Sequence, residues 1–297
     1  MALGSVMLMA AWYPTMKVIM GRISPIQAAS IEAIGLTATA ALWGRLRGQT
    51  QRSLPRHGMG TFAVLNAIAL VLLYVSLQQL SPIIVSLTGR LYVVLCAVLA
   101  VAVLRERIGW REWTLILTSS AATVVFLHGQ VDRTSVLGVL AAIAYVVCFA
   151  VANLVAKRFG PDIAPATALL WSRGLAALTL PILGLILEGK SFLQVEPWAA
   201  AWVLVGSIFS MFGGLMLYYR ALGMAPFALV NALRALGPLF VFLYSMPLTH
   251  TSLTWTQALS GVICISSVAI LSSSKPRTGS SEQRHTAPTS PQTSPRL

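Results

Sequence analysis

The sequence predicts an all-α integral membrane protein of ten transmembrane helices, arranged as two inverted five-helix repeats with both termini in the cytoplasm. Charged residues form only 10% of the 297 residues and hydrophobic residues form 57%, whereas soluble domains are roughly 25% charged. A soluble protein of this size needs many more charged side chains to cover its surface. Lipid is therefore the predicted solvent for most of the chain. Long apolar runs and an internal repeat support the same fold class.

Ten apolar runs are each long enough to cross a bilayer, which takes roughly 17–25 mainly apolar residues. They cover residues 2–20, 25–46, 60–80, 82–104, 112–128, 134–157, 164–188, 197–220, 226–247 and 254–272. Ser81 alone separates the third and fourth runs, so neighbouring helices should be antiparallel. The first run lacks a basic n-region and contains Pro14 and Lys17, so it is interpreted as a retained helix rather than a secretory signal.

The distribution of Lys and Arg predicts the orientation. With the N-terminus inside, thirteen of them fall in cytoplasmic segments within 45–56, 105–111, 157–158 and 275–296, and three fall outside, namely Arg22, Arg133 and Lys190. This positive-inside bias places both termini in the cytoplasm. The basic residues that give the net charge of +13 thus orient the helices. Their spread over short connections argues against nucleic-acid binding.

The second half of the chain repeats the first. Residues 74–95 align with 218–239 without a gap, and the matched pairs are Tyr74 with Tyr218, Pro82 with Pro226, Arg90 with Arg234 and, upstream, Lys17 with Lys157 and Pro25 with Pro165. The predicted units are a first repeat at 1–129, a second at 134–272 and a disordered cytoplasmic tail at 273–297, whose composition cannot form a core. Five helices is an odd number, so the second repeat enters the membrane inverted. Such repeats are typical of secondary transporters, which hold substrate between the halves and alternate access to it.

Three motifs resemble the EamA-type ten-helix transporters of the drug/metabolite transporter superfamily. Two are the proline-led runs LSPIIVSL and MAPFALVNAL, and the third is the Glu motif LRERIGWREW, which contains Glu106. The resemblance covers about residues 2–272. It implies export or exchange of metabolites, amino acids, nucleotide sugars or drugs. This sequence departs from the family pattern at two places. The position that matches the Glu motif in the second half holds His250 or Thr251. The family's frequent Arg in the helix after the first loop is Arg173 in the second repeat but Glu32 in the first.

Charged side chains inside the predicted spans indicate functional positions, because each costs at least ~2.5–3.5 kcal/mol on insertion scales. Lys17 and Arg220 lie near helix ends, where snorkelling to the interface explains them. The remaining four, Glu32, Arg90, Arg173 and Arg234, lie ~10–12 Å deep at 1.5 Å per residue. They should face the interior of the bundle.

Depth also predicts how these charges pair. Glu32 and Arg90 lie at the same depth below the outer surface, so we expect an ion pair, which serves either structure or proton coupling. Arg173 and Arg234 have no acidic residue at their depth, which favours an anionic or carboxylate-bearing ligand. The predicted substrate-binding residues are Arg234, Arg90, Arg173, Glu32, Asn231, Tyr74, Tyr218 and Trp12. The aromatic members either line a cavity or pack in the core.

Three alternatives to transport of a small anionic metabolite are compared with the residues. An enzyme is disfavoured because the four histidines fall at loops or in the tail and the cysteines lack metal spacing, so no cofactor or metal is expected. A membrane-embedded binding or sensing protein without net transport is a second alternative. Drug or amino-acid efflux with a neutral or cationic substrate is a third.

Several properties stay open in the sequence. Coupling is either to protons or to a counter-substrate, and the row Gly206/Ser210/Gly214 serves either packing within the chain or a homodimer. The predicted location is the plasma membrane, which in a bacterium is the inner membrane.

Overall fold

The computed structural model describes residues 1–48, 56–106, 108–127, 135–158 and 164–249, together with Trp255, 259–260, 262–263, 266–267 and Ile270. These residues form helices and the turns between them, and no strand occurs among them. The predicted all-helical class is therefore confirmed for this part of the chain. The tail at 273–297, His250 and Thr251 lie outside the described residues, as does most of the predicted tenth span.

The helices follow the predicted spans closely. They are α1 (Ala2–Lys17), α2 (Pro25–Leu46), α3 (Arg56–Gln79), α4 (Pro82–Ala102), α5 (Trp110–Leu127), α6 (Val136–Arg158), α7 (Pro165–Glu188), α8 (Pro197–Gly206), α9 (Gly213–Met224), α10 (Phe227–Leu233) and α11 (Gly237–Thr249). Within the described residues, five segments are long and apolar enough to cross a membrane: Gly58–Gln79, Ile84–Ala102, Val136–Arg158, Pro165–Leu193 and Pro197–Met224.

Sequence signals at the helix starts explain their sharp boundaries. Pro25 and Pro82 occupy the first turns of α2 and α4, where the missing N–H costs no hydrogen bond. Ser24 and Gln27 form a reciprocal capping box, and the Ser81 hydroxyl accepts from the Ile84 N–H. Each cap satisfies N–H groups that a helix start leaves unpaired.

Two of the predicted spans are interrupted, which the sequence analysis did not predict. The eighth span joins α8 to α9 through a π-helical segment at Ser207–Phe212. The ninth joins α10 to α11 through a 3₁₀ turn at Arg234–Leu236, where the Gly237 N–H donates to the Arg234 carbonyl. Pro238 explains the second break, because it has no N–H to donate to that carbonyl in the α-helical pattern.

The two halves pack against each other through several pairs of helices. Helix α2 packs along α7, α3 packs along α6, and α1 packs against α9 and α11. The large side chains Trp12, Phe62, Tyr74 and Tyr218 are fully buried in this shared core. The interface between the repeats is thus also the hydrophobic core of the molecule.

Lys17 and Lys157 occupy equivalent places in the two repeats and make the same kind of contact. The Lys17 Nζ donates to the carbonyls of Leu77 at 2.9 Å and Leu80 at 3.0 Å, at the end of α3. The Lys157 Nζ donates to Leu222 at 2.9 Å and Ala225 at 2.7 Å, at the end of α9. The snorkelling interpretation of Lys17 stays a prediction. The ammonium group caps a helix C-terminus, where carbonyls and the helix dipole both favour a cation.

Close helix packing depends on the small residues of the eighth span. A Cβ at Gly206 would lie 2.6 Å from Trp12 Cζ3, and one at Gly214 would lie 2.5 Å from Met9 Cγ. The Ser5 hydroxyl donates to the Gly214 carbonyl at 2.7 Å. At Gly206 and Gly214, this row therefore packs against α1 within the chain.

Substitution of Gly206 by Ala should lower thermal stability. The added methyl group meets a fully buried, rigid indole ring, and overpacking of this kind costs about 1–3 kcal/mol. The melting temperature of the purified protein in detergent measures the effect. Gly60→Ala is the matched control, because a Cβ at Gly60 meets nothing within 4 Å and Ala is the better helix former. Equal melting temperatures for the two variants would contradict the predicted clash.

Candidate functional site

A cavity of about 60 Å³ lies between the two halves of the chain. Helices α1 and α4 of the first half and α6, Arg234 and α11 of the second contribute its walls. The lining residues are Val6, Met9, Ala10, Tyr13, Val85, Ser86, Gly89, Tyr92, Tyr145, Val146, Arg234, Gly237 and Val241. One water needs about 10–15 Å³ on this measure. The cavity therefore has room for a few waters or for part of a small ligand.

Arg234 lies on one wall of the cavity, at the start of the 3₁₀ turn. Its guanidinium carbon is 5.0 Å from the ring centre of Tyr92, 5.1 Å from that of Phe149 and 5.0 Å from that of Tyr218. These distances are within the cation–π range of about 6 Å. The aromatic cage of Tyr92, Phe149 and Tyr218 thus holds the guanidinium in place.

A buried hydrogen-bond network fixes the tyrosines of this cage. The Tyr92 hydroxyl donates to Asn231 Oδ1 at 2.7 Å, and the Tyr218 hydroxyl donates to the same oxygen at 2.9 Å. Asn153 Nδ2 donates to the Tyr92 hydroxyl at 3.0 Å. Asn231 in turn donates to the Phe227 carbonyl at 2.8 Å. The hydroxyl groups are thereby occupied by protein partners, while the ring faces lie against Arg234.

The structure brings three of the predicted residues together here, namely Arg234, Asn231 and Tyr218. Asn231 is fully buried, and its contacts above are with protein groups, so its observed role is to position the tyrosines. Sequence reasoning missed Tyr92, Phe149 and Asn153. Asn153 gave a usable signal, because an amide inside an apolar run needs hydrogen-bond partners.

A second polar cluster joins α2 to α7. The Tyr74 hydroxyl donates to Glu32 Oε2 at 2.5 Å, and Arg173 Nη2 lies 3.6 Å from Glu32 Oε1. The side chain of Glu32 is 0% exposed and that of Arg173 is 6% exposed. Trp12 lies near enough to interact with Glu32 and Tyr74, but its Nε1 has no hydrogen-bond partner within the described ranges.

The expectation that Arg173 has no acidic partner is therefore wrong. In the predicted topology, the depths of Glu32 and Arg173 are counted from opposite membrane faces, but ~10–12 Å of depth on each side leaves only about 6–10 Å between them in a ~30 Å core. An arginine side chain spans that gap when α2 packs along α7. The predicted Glu32–Arg90 pair stays a prediction, because the Arg90 side chain lies outside the described residues.

Glu106, in the Glu motif, lies just after the C-terminal end of α4 and links the two halves of the chain. Its Oε1 accepts from the backbone N–H of Phe227 at 2.8 Å, at the first turn of α10. An acidic group is favoured there by the unpaired N–H groups and the helix dipole. Glu106 thus anchors the start of the segment that ends in Arg234.

Comparison with known proteins identifies the family. The model of the EamA-like transporter family matches residues 1–127 and again 136–273. The chain belongs to the EamA-like transporter family. This transporter is therefore a multi-pass, membrane-embedded carrier of small molecules rather than an enzyme. No curated protein matches it.

The fold also has a counterpart among solved structures. One crystal structure, described only as that of a protein, aligns over 90% of this transporter and 94% of its own chain, with 18% sequence identity and a TM-score of 0.73. At that identity the likeness concerns the fold alone. Among the described residues of this transporter, no group of three or more His, Cys, Asp or Glu side chains could hold a metal ion.

Proposed function

We propose that this protein is a secondary transporter that moves a small anionic or carboxylate-bearing metabolite by alternating access. The observation that carries the proposal is Arg234, which lines the cavity between the repeats and is held there by three aromatic rings. A guanidinium offers paired N–H donors that match a carboxylate. Arg90 and Arg173 are the other proposed cationic contributors.

The same geometry disfavours a cationic substrate. Aromatic faces are a usual way to bind an organic cation, but Arg234 already lies over the faces of Tyr92, Phe149 and Tyr218. Glu32 is the sole acidic residue in the interior of the ten predicted spans, since Glu112 and Glu188 lie at span ends, and it already contacts Tyr74 and Arg173. A cation entering the cavity would thus meet the positive charge of Arg234.

The placement of the cavity supports alternating access. Its walls come from both repeats, as expected where one inverted repeat rocks against the other around a central site. The 3₁₀ turn at Arg234 supplies a point of local adjustment, since mid-helix 3₁₀ turns often mark hinges. Glu32 is the proposed site of proton coupling, with exchange against a counter-substrate as the alternative.

The proposed topology has ten spans, both termini in the cytoplasm and the plasma membrane as location. A reporter that is active only outside the cytoplasm should be silent when fused after Leu297 and active when fused after Arg133. The reason is the excess of Lys and Arg in the proposed inner segments. Activity after Leu297, or silence after Arg133, would contradict this orientation.

Flux in proteoliposomes tests the proposed function. The purified protein should exchange small carboxylates from a metabolite panel across the membrane, and empty liposomes give the background. Binding without flux would instead support the sensing alternative. Flux confined to neutral or cationic compounds would support the efflux alternative.

A further inference from the structure

We propose that Glu106 is a gating residue. Its contacts with the second repeat hold the cavity closed at the end of the bundle where α4 terminates, and they break when that end opens. This inference rests on the proposed alternating access, and it assigns a role to a residue that the proposed function does not use. Glu106 is not among the described residues that line the cavity, so it acts as a positioning residue through the helices that do.

The contacts of Glu106 join the two repeats. Glu106 belongs to the first repeat, and Phe227 and Lys157 belong to the second. The Glu106 carboxylate accepts from the Phe227 N–H at 2.8 Å, and it lies close enough to Lys157 to interact electrostatically. By contrast, Lys157 donates to the carbonyls of Leu222 and Ala225 within its own repeat. A movement of one repeat against the other therefore keeps the lysine contacts but separates Glu106 from its partners.

These contacts lie beyond one end of the cavity. Helices α4 and α6 and the segment from α10 to α11 all line it, and Glu106 follows the end of α4. Phe227 lies seven residues before Arg234, or about 10 Å at 1.5 Å per residue. Lys157 lies eleven residues after the lining residue Val146, or about 16 Å. Glu106 thus fastens three walls of the cavity to one another at the same end.

The backbone before Glu106 is strained. Arg105 has a φ of 54°, in the left-handed region that disfavours residues with a Cβ. The Glu106 N–H then donates to the Ala100 carbonyl at 3.0 Å, which turns the chain back onto the end of α4. Strained residues of this kind cluster at switch regions. A segment that only connected α4 to α5 would not require this conformation, whereas a carboxylate directed at α10 explains it.

A single cysteine in the cavity reports which end is open. Gly89 lines the cavity, and a Cβ at this position meets no described atom within 4 Å, so Gly89→Cys is accommodated. A charged, membrane-impermeant methanethiosulfonate is applied to intact cells and to inverted vesicles, and the labelling rate is measured from each side. Arg111→Cys, at an exposed position near the start of α5, identifies the side on which Glu106 lies. Both reporters are placed in a full-length chain without its native cysteines, Cys96, Cys148 and Cys264.

Glu106→Gln should open the end of the bundle at which Glu106 lies. The labelling rate of Gly89→Cys should rise roughly 3–10-fold from that side, because Gln lacks the negative charge that a helix N-terminus favours. The rate from the other side should fall, since the two open states exchange. Glu112→Gln is the matched control, because Glu112 accepts from the Gly109 N–H within the first repeat. This control should leave both rates unchanged.

The possible results separate gating from a structural role and from the proposed function. Equal rises from both sides would show a loosened protein and overturn the gating role. Unchanged rates, or a rise from the other side alone, would also overturn it and leave alternating access intact. A reporter labelled from one side alone in every variant would overturn alternating access, and this inference with it.

Glu106→Asp provides a second variant should Glu106→Gln fail to reach the membrane. It keeps the charge but is one methylene group shorter, so the carboxylate no longer reaches the Phe227 N–H as it does at 2.8 Å. A shift in the same direction, smaller than that expected for Gln, supports the gating role. Rates equal to those of the Glu112→Gln control would overturn it.

Discussion

Replacement of Arg234 by Gln should raise the dissociation constant for a carboxylate ligand at least ~10-fold, because a charge-assisted hydrogen bond contributes ~1.5–3 kcal/mol. Equilibrium binding to the purified protein measures the change. Gln keeps hydrogen-bonding capacity but loses both the charge and the planar cation that lies over Tyr92, Phe149 and Tyr218. Carboxylate flux in proteoliposomes should fall in parallel.

Arg234→Lys is the informative companion variant. Lysine keeps the charge but lacks the planar fork that stacks on rings and binds a carboxylate through two bonds. Its affinity should fall between those of the original protein and Arg234→Gln. A folded Arg234→Gln protein with normal ligand affinity would refute the anion site and favour a neutral or cationic substrate.

Glu32→Gln should be the most destabilising single substitution in the second polar cluster. It removes the described counter-charge of Arg173, whose side chain is 6% exposed, and leaving one buried charge unpaired costs about 3–5 kcal/mol. The melting temperature in detergent should fall clearly. Arg173→Gln should be milder, because the carboxyl group left behind can become neutral by taking up a proton.

The double variant Glu32→Gln/Arg173→Gln separates structure from coupling. It removes both charges, so most of the lost stability should return. If Glu32 carries the proton, uphill proton-driven uptake stays abolished in the restored protein while counterflow continues. Normal proton-driven uptake by a well-folded Glu32→Gln protein would reject the coupling role.

The interior positions of Glu32 and Arg173 could be derived from the sequence, whereas their pairing with each other could not. Apolar runs and helix-opening prolines predicted the first nine helical segments to within a few residues, and both charges fall well inside such runs. Depth along one helix does not show which helix lies beside it. The packing of α2 along α7 decided that Glu32 meets Arg173.

The aromatic cage was missed for a related reason. Tyr92 and Phe149 look like ordinary core residues in apolar runs, and only the rotation of α4 and α6 turns their rings toward Arg234. The 3₁₀ turn had a signal in Pro238, but a proline inside a span can equally well kink a helix or be tolerated in it. The sequence therefore predicted Arg234, which lines the candidate site, but not the aromatic rings around it.

The Glu32–Arg173 pair has a consequence for the ancestry of the chain. With Pro25 aligned to Pro165, the position of Arg173 corresponds to Ala33 in the first repeat. Two identical antiparallel copies of one five-helix unit would therefore hold Glu32 without an arginine opposite it. The ion pair seen across α2 and α7 thus depends on two halves that differ in sequence. A protein assembled from two copies of residues 1–127 would lack Arg173 and lose the pair that now links the halves.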